Sequence, residues 1–135
     1  MHEDARKLAP VMLGVMPIRR SNMQYLLIIS HDDFFTPTET LLQDIGAWIK
    51  EMEHRGIRVY GNPLRPAGDA VTVRMREGRV VLKKGPFANS EEKMCAYELV
   101  DCSSNEEAIE VASLHPMAKA ATIEVRPIWN ELAGQ

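Results

Sequence analysis

Cysteine is almost missing from this chain. Cys95 and Cys102 are the only two in 135 residues. Their spacing matches no zinc or redox motif, and on a strand an odd offset sends them to opposite faces. A disulfide-built fold is excluded, and two reduced, buried small residues are expected, as in a cytoplasmic protein. Aromatics make up only 6% of the chain, so no stacking platform accompanies the basic residues and nucleic-acid binding finds no support. No apolar run is long enough to span a membrane. A glycine-rich phosphate loop, a Ser-His-Asp or Cys-His set and metal-ligand spacing are likewise absent from the sequence. Neither a metal nor a cofactor is expected.

Excess charge of one sign is lacking too. The net charge is −3, with 26% charged and 45% hydrophobic residues, which is ordinary for one globular domain. The charges are nevertheless unevenly spread. Arg55, Arg58, Arg65, Arg74, Arg76, Arg79, Lys83 and Lys84 crowd the middle, and Glu91, Glu92, Glu98, Asp101, Glu106, Glu107 and Glu110 follow. Two readings stand: opposite-sign neighbours on solvated faces, or a basic mouth for a small anion.

Residues 1–21 read as an extension ahead of the domain. Leu8 to Ile18 is mostly apolar, but His2-Glu3-Asp4 opens the chain where a secretory signal would carry positive charge, and Pro10 and Pro17 oppose a continuous helix. The domain proper is expected over 22–130, followed by a short tail, 131–135.

Met23 to Ile29 is a near-continuous apolar run, suited to a strand buried on both faces. Thr36-Pro37-Thr38-Glu39 is a helix start, with Thr36 as cap and Pro37 in the first helical position. Leu41, Leu42, Ile45, Trp48, Ile49 and Met52 repeat at helical spacing, and Gly56 closes that helix. Ile57 to Tyr60 is a short strand, and Gly61-Asn62-Pro63 opens a loop. Ala70 to Arg76 alternates, Glu77-Gly78 turns, and Arg79 to Lys83 returns, which makes a hairpin. Met94 to Asp101 is another strand. Ser103 or Ser104 caps a second helix, which His115-Pro116 stops. Thr122 to Ile128 is the last strand. With the hairpin set aside, the order is the split β-α-β of an α+β, ferredoxin-like fold. Two helices cover one face of such a sheet. A second subunit is the simplest cover for the other, so a homodimer with facing sheets is expected.

Five segments in this order resemble the YCII-related family, and in particular its DGPF branch. They are Met23-Gln24-Tyr25-Leu26-Leu27-Ile28, Gly61-Asn62-Pro63-Leu64, Ala70-Val71-Thr72-Val73-Arg74, Gly85-Pro86-Phe87-Ala88 and Ile123-Glu124-Val125-Arg126-Pro127-Ile128. The resemblance implies a dimeric α/β barrel, similar in fold to muconolactone isomerase and a related dehydrochlorinase. A histidine–aspartate pair is suggested as catalytic in some members. DGPF-type proteins are also linked, through neighbours and fusions, to sigma-factor systems. This chain departs twice. Lys84 stands where the named motif has aspartate, and the first helix, Thr38 to Met52, lacks the histidine of the smaller relatives, so that pair does not transfer.

The candidate catalytic residues are His31, His115 and Asp33. His31 ends the first strand beside Asp32 and Asp33, where a carboxylate would orient its ring for general-base work; the alternative is a solvated loop. His115 follows the second helix and either turns into the cleft or serves as a partner for the helix dipole. His54 reads as a dipole partner. Lys84, Phe87 and Arg126 are the candidate ligand-binding residues, two cations and an apolar anchor for a small anionic compound. Two functions follow: an isomerase- or lyase-type acid–base enzyme, or a non-catalytic metabolite-binding or regulatory module on the same homodimer.

Overall fold

The computed structural model describes residues 22–132. The extension at 1–21 and the last residues of the tail, 133–135, lie outside the described part.

Strand β1 (Met23–His31) is central in a four-stranded sheet of order β2-β5-β1-β6, formed with β2 (Arg58–Pro63), β5 (Lys93–Cys102) and β6 (Thr122–Pro127). Every pairing in it is antiparallel. Helix α1 (Glu39–His54) connects β1 to β2. Helices α2 (Asn105–Ser113) and α3 (Pro116–Ala120) connect β5 to β6. Strands β3 (Val71–Arg76) and β4 (Arg79–Lys84) form a separate two-stranded ribbon. The protein is therefore α+β, with an open sheet and no closed barrel among the described residues.

The register sorts the faces. Tyr25, Leu27 and Ile29 of β1 are paired with Val100, Glu98 and Ala96 of β5, and all six point to the helices. Tyr25, Leu27, Trp48, Met52, Ile57, Val100, Ala108 and Val111 make the core there. On the opposite face Leu26, Ile28, Tyr97 and Leu99 are half-buried. Helices cover one face of β1, and among the described residues none covers the second.

Local chemistry explains the helix ends. Thr38, not Thr36, caps α1. Its hydroxyl accepts the Leu41 amide at 3.0 Å. Pro37 stays in the extended lead-in, compatible with its fixed φ. At the other end Gly56 takes φ 72°, its amide reaches the Glu53 carbonyl, and Ile57 N–H reaches the Met52 carbonyl at 2.8 Å. This is the Schellman closure, with Ile57 and Met52 packed as its apolar pair.

Pro116 does not simply stop the chain's helical course. It starts α3 at the first helical position, where its missing N–H is harmless. Gly61 to Pro63 belongs to β2 rather than to a loop, since an edge strand tolerates proline.

Candidate functional site

Between α1 and the sheet lies a cavity of about 370 Å³, within the size range of small-molecule sites. His31, His115, Glu98, Arg58, Cys95 and Asn62 bring polar or reactive atoms to a wall that is otherwise apolar.

His31 is the last residue of β1. Its ring stacks on Phe35 at 4.6 Å. Its Nδ1 donates to the Asp32 backbone carbonyl at 2.7 Å. A carbonyl only accepts, so Nδ1 carries the proton and Nε2 of the neutral ring is a free lone pair. No carboxylate orients this ring as the sequence suggested. The Asp32 carboxylate accepts the Phe34 amide at 3.0 Å, and Asp33 is exposed and does not line the cavity.

His115 is 2% exposed. It does not serve the C-terminus of α2; its Nδ1 accepts the Met117 amide at 3.0 Å and so caps α3. An accepting Nδ1 puts the proton of the neutral ring on Nε2. Trp48 meets the ring edge-on at 4.6 Å and is itself fixed by a hydrogen bond to the Val111 carbonyl. Burial pushes the His115 pKa down to about 4, so the ring is neutral at physiological pH. Two imidazoles therefore line one cavity in opposite tautomers, one offering a lone pair and the other an N–H.

The floor carries a buried ion pair. Arg58 Nε lies 2.6 Å from Glu98 Oε1, and the same guanidinium reaches Glu53 at 2.7 Å and the Gly61 carbonyl at 3.0 Å. Burial opposes the charge on Arg58, but Glu98 and Glu53 outweigh it and hold the pKa above its ordinary value. Burial pushes the Glu98 carboxyl up while Arg58 pulls it back. Gly61 makes the approach possible, because a Cβ there would run into the Glu98 carboxylate. Burial also raises the Cys95 thiol, and pushes Cys102 to about 12, so both are held as thiols.

A second, open cleft of about 1030 Å³ lies between the uncovered sheet face and the β3–β4 ribbon. Phe87 lines it, with 73% of its surface exposed. Lys84 lines neither cavity, and Arg126 is paired with Glu124 at 2.8 Å on the open sheet face. Lys84, Phe87 and Arg126 are thus not gathered around His31 and His115. Among the described residues no His, Cys, Asp or Glu cluster is arranged to hold a metal, and no helix is long and apolar enough to cross a membrane.

Sequence reasoning missed Arg58, Glu98 and Trp48. A signal for Glu98 was present. It stands between half-buried Ala96 and buried Val100 and Cys102 on one strand face, and a carboxylate on such a face requires a cation partner.

The chain is 28% identical over 114 residues to an uncharacterized protein of Rhizobium meliloti (strain 1021), an alignment covering 78% of this chain and 92% of that protein. A family model for the YCII-related domain matches residues 23–131, which takes in every described strand and helix. The chain belongs to the YCII-related domain family.

Proposed function

We propose that the helix–sheet cavity binds a small carbonyl compound and that His31 and His115 catalyse proton transfer on it, an isomerase-type reaction. The observation that carries this reading is the pair of opposite tautomers. His31 Nε2 takes a proton from the carbon next to the carbonyl. The electron pair moves onto the carbonyl oxygen, which receives the hydrogen bond from His115 Nε2–H. The protonated His31 returns its proton to a second carbon, and the carbonyl or its conjugated isomer is released. His115 is suited to donate rather than to ionise, because burial holds it neutral. The expected anionic compound would find one cation in this cavity, Arg58, already shared by two carboxylates. A substrate whose negative charge develops only during the reaction suits the wall better.

The test is proton–deuterium exchange, followed by NMR in D2O, on a panel of small enolisable ketones and unsaturated lactones. The expected result is a protein-dependent acceleration that falls by about 10²–10⁴-fold in His31→Gln. No acceleration on any compound, or one unchanged in His31→Gln, sinks the reading. A binding-only module is the second reading. It is favoured by the engagement of His115, Arg58 and Glu98 with protein partners. It predicts a thermal shift with ligand and no exchange.

Four finer points accompany the proposal. The strand order and the two crossing helices support a ferredoxin-like split β-α-β arrangement, with β3–β4 as an insertion. The half-buried face of Leu26, Ile28, Tyr97 and Leu99 supports a homodimer packed sheet to sheet, as in a dimeric α/β barrel. Assignment to the DGPF branch rests on Gly85-Pro86-Phe87, and a cytoplasmic location rests on the two thiols.

A further inference from the structure

The Arg58–Glu98 pair engages only one oxygen of its buried carboxylate. Arg58 Nε holds Glu98 Oε1 at 2.6 Å, and the other two nitrogens of the guanidinium are taken by Glu53 and the Gly61 carbonyl. Oε1 is also the oxygen that faces Gly61. Among the described residues Oε2 has no hydrogen-bond partner. It is not sealed in either, since the fully enclosed side-chain oxygen left unpaired among those residues belongs to Tyr25. Glu98 is 4% exposed and lines the helix–sheet cavity, so the open side of Oε2 is that cavity. A carboxylate oxygen so enclosed calls for a hydrogen-bond donor. The proton transfer proposed above leaves it unused.

The cavity's own donors are engaged elsewhere. Arg58 is fully occupied, and Asn62 Nδ2 donates to the Tyr97 hydroxyl at 3.3 Å. The donor therefore belongs to the ligand. Arg58 already balances the Glu98 charge, so a second cation would find no counter-charge left to it in the cavity. A neutral hydroxyl needs only the acceptor. Its position follows from the register. Glu98 is paired with Leu27, which lies on the same strand face as His31, four positions before it. At about 3.3 Å per residue the two side chains leave the sheet roughly 13 Å apart. A hydrogen bond of about 2.8 Å at each end leaves the ligand a span of about 7–8 Å, or roughly six to eight covalent bonds. Ile29 and Ala96 occupy the wall between the two ends, and Ile45 and Ile49 close it from α1, so the middle of the ligand meets apolar surface.

We propose that Glu98 is a specificity-determining residue of this cavity: its Oε2 accepts a hydroxyl at the far end of an elongated, neutral carbonyl compound whose reacting carbon lies at His31. The carbonyl end of this assignment rests on the proton-transfer reading above, and Glu98 adds the group that selects the other end.

The experiment is calorimetric titration of the full chain with three ketones: benzylacetone, para-hydroxybenzylacetone and para-methoxybenzylacetone. Their ring sets the para oxygen at the required span from the carbonyl. Wild type should bind the hydroxy ketone about 10–100-fold more tightly than benzylacetone, as expected of a hydrogen bond to a charged acceptor. The methoxy ketone has no proton to give and should bind most weakly. In Glu98→Gln, Arg58 claims the amide oxygen and turns the NH2 to the cavity, so a donor replaces the acceptor. The hydroxyl advantage should then fall to within about threefold, and the methoxy ketone should overtake benzylacetone. Equal weakening of all three would give Glu98 a structural role and overturn the proposal. Should the variant fail to fold, wild type decides alone: hydroxy and plain ketones bound equally overturn it. Tighter binding of para-(aminomethyl)benzylacetone than of the hydroxy ketone overturns it in favour of a cation. No binding of any of the three overturns it, whatever exchange shows on other ketones. Proton–deuterium exchange separates this assignment from the reading beneath it. A hydroxyl preference without exchange leaves the Glu98 subsite standing and sinks the proton transfer, while exchange without the preference sinks the subsite alone.

Discussion

Val100 and Val73 sit in strands with the same alternation, yet one is fully buried and the other is 64% exposed. Val100 belongs to the four-stranded sheet, where α1 and α2 close over the face. Val73 belongs to the ribbon, where nothing within the described chain does. Alternation reports that a strand has a face to bury; what buries it is decided by elements far away in sequence. The same contrast separates the charges. Arg58 in the sheet is fixed by two carboxylates and a carbonyl, while Arg74 in the ribbon shows no salt bridge among the described residues.

The largest test of that contrast is to remove each arginine. Arg58→Met leaves Glu98 buried without its cation, which costs about 3–5 kcal/mol at neutral pH. Arg74→Met should fall within about 0.5 kcal/mol for the monomer. Urea titrations of both variants give the comparison. The sign with pH sharpens it. Without Arg58 the Glu98 carboxyl titrates higher still, so its folded pKa stands above the unfolded one. The protonated form is then favoured on folding, and the deficit of Arg58→Met shrinks as pH falls through that folded pKa. A deficit that is constant with pH would locate the loss in packing instead of charge.

His115 supplies the next effect. Its folded pKa is depressed, from 6.5 to about 4. The stability it contributes is therefore complete above 6.5 and is lost as pH falls towards 4, where the unfolded ring binds a proton that the folded one refuses. The full swing is about 3 kcal/mol as an order of magnitude. In His115→Gln, which retains an acceptor for the Met117 amide, the acid-side slope between those pH values should flatten. The slope persisting unchanged would show that another group titrates there.

How far these residues were legible follows the same division between local and distant. The Gly56 closure of α1 and the Glu77-Gly78 turn could be read, because glycine is demanded by backbone angles set within a few residues. Caps were legible only to within a choice: Thr36 and Thr38 offer the same hydroxyl, and Thr38 is the one that caps α1. Both cavity histidines were identified from their positions at element ends, but their tautomers were not, since each depends on one backbone group and its direction. The Arg58–Glu98 pair joins residues 40 apart, and nothing in local sequence specifies such a partner. Arg126 and Lys84 illustrate the converse. Both are cations of suitable type, and topology sends them to other surfaces.

Two glycines give the finest division between sheet and ribbon. Gly61 has ordinary backbone angles but no room: a Cβ would strike the Glu98 carboxylate and come within 2.7 Å of the Tyr97 carbonyl. Gly78 has room, with nothing within 4 Å, but holds φ 77°. Gly61→Ala should cost about 1–3 kcal/mol through overpacking, and Gly78→Ala about 1 kcal/mol through backbone strain. The causes separate in a double-mutant cycle with Glu98→Ala. Removing the carboxylate relieves the clash at position 61, so that pair should couple by at least about 0.5 kcal/mol, while Gly78→Ala should add without coupling. If Gly61→Ala also proved additive, the approach of β2 to Glu98 would not be what requires glycine. The space beside the buried ion pair would then have no part in shaping the cavity floor.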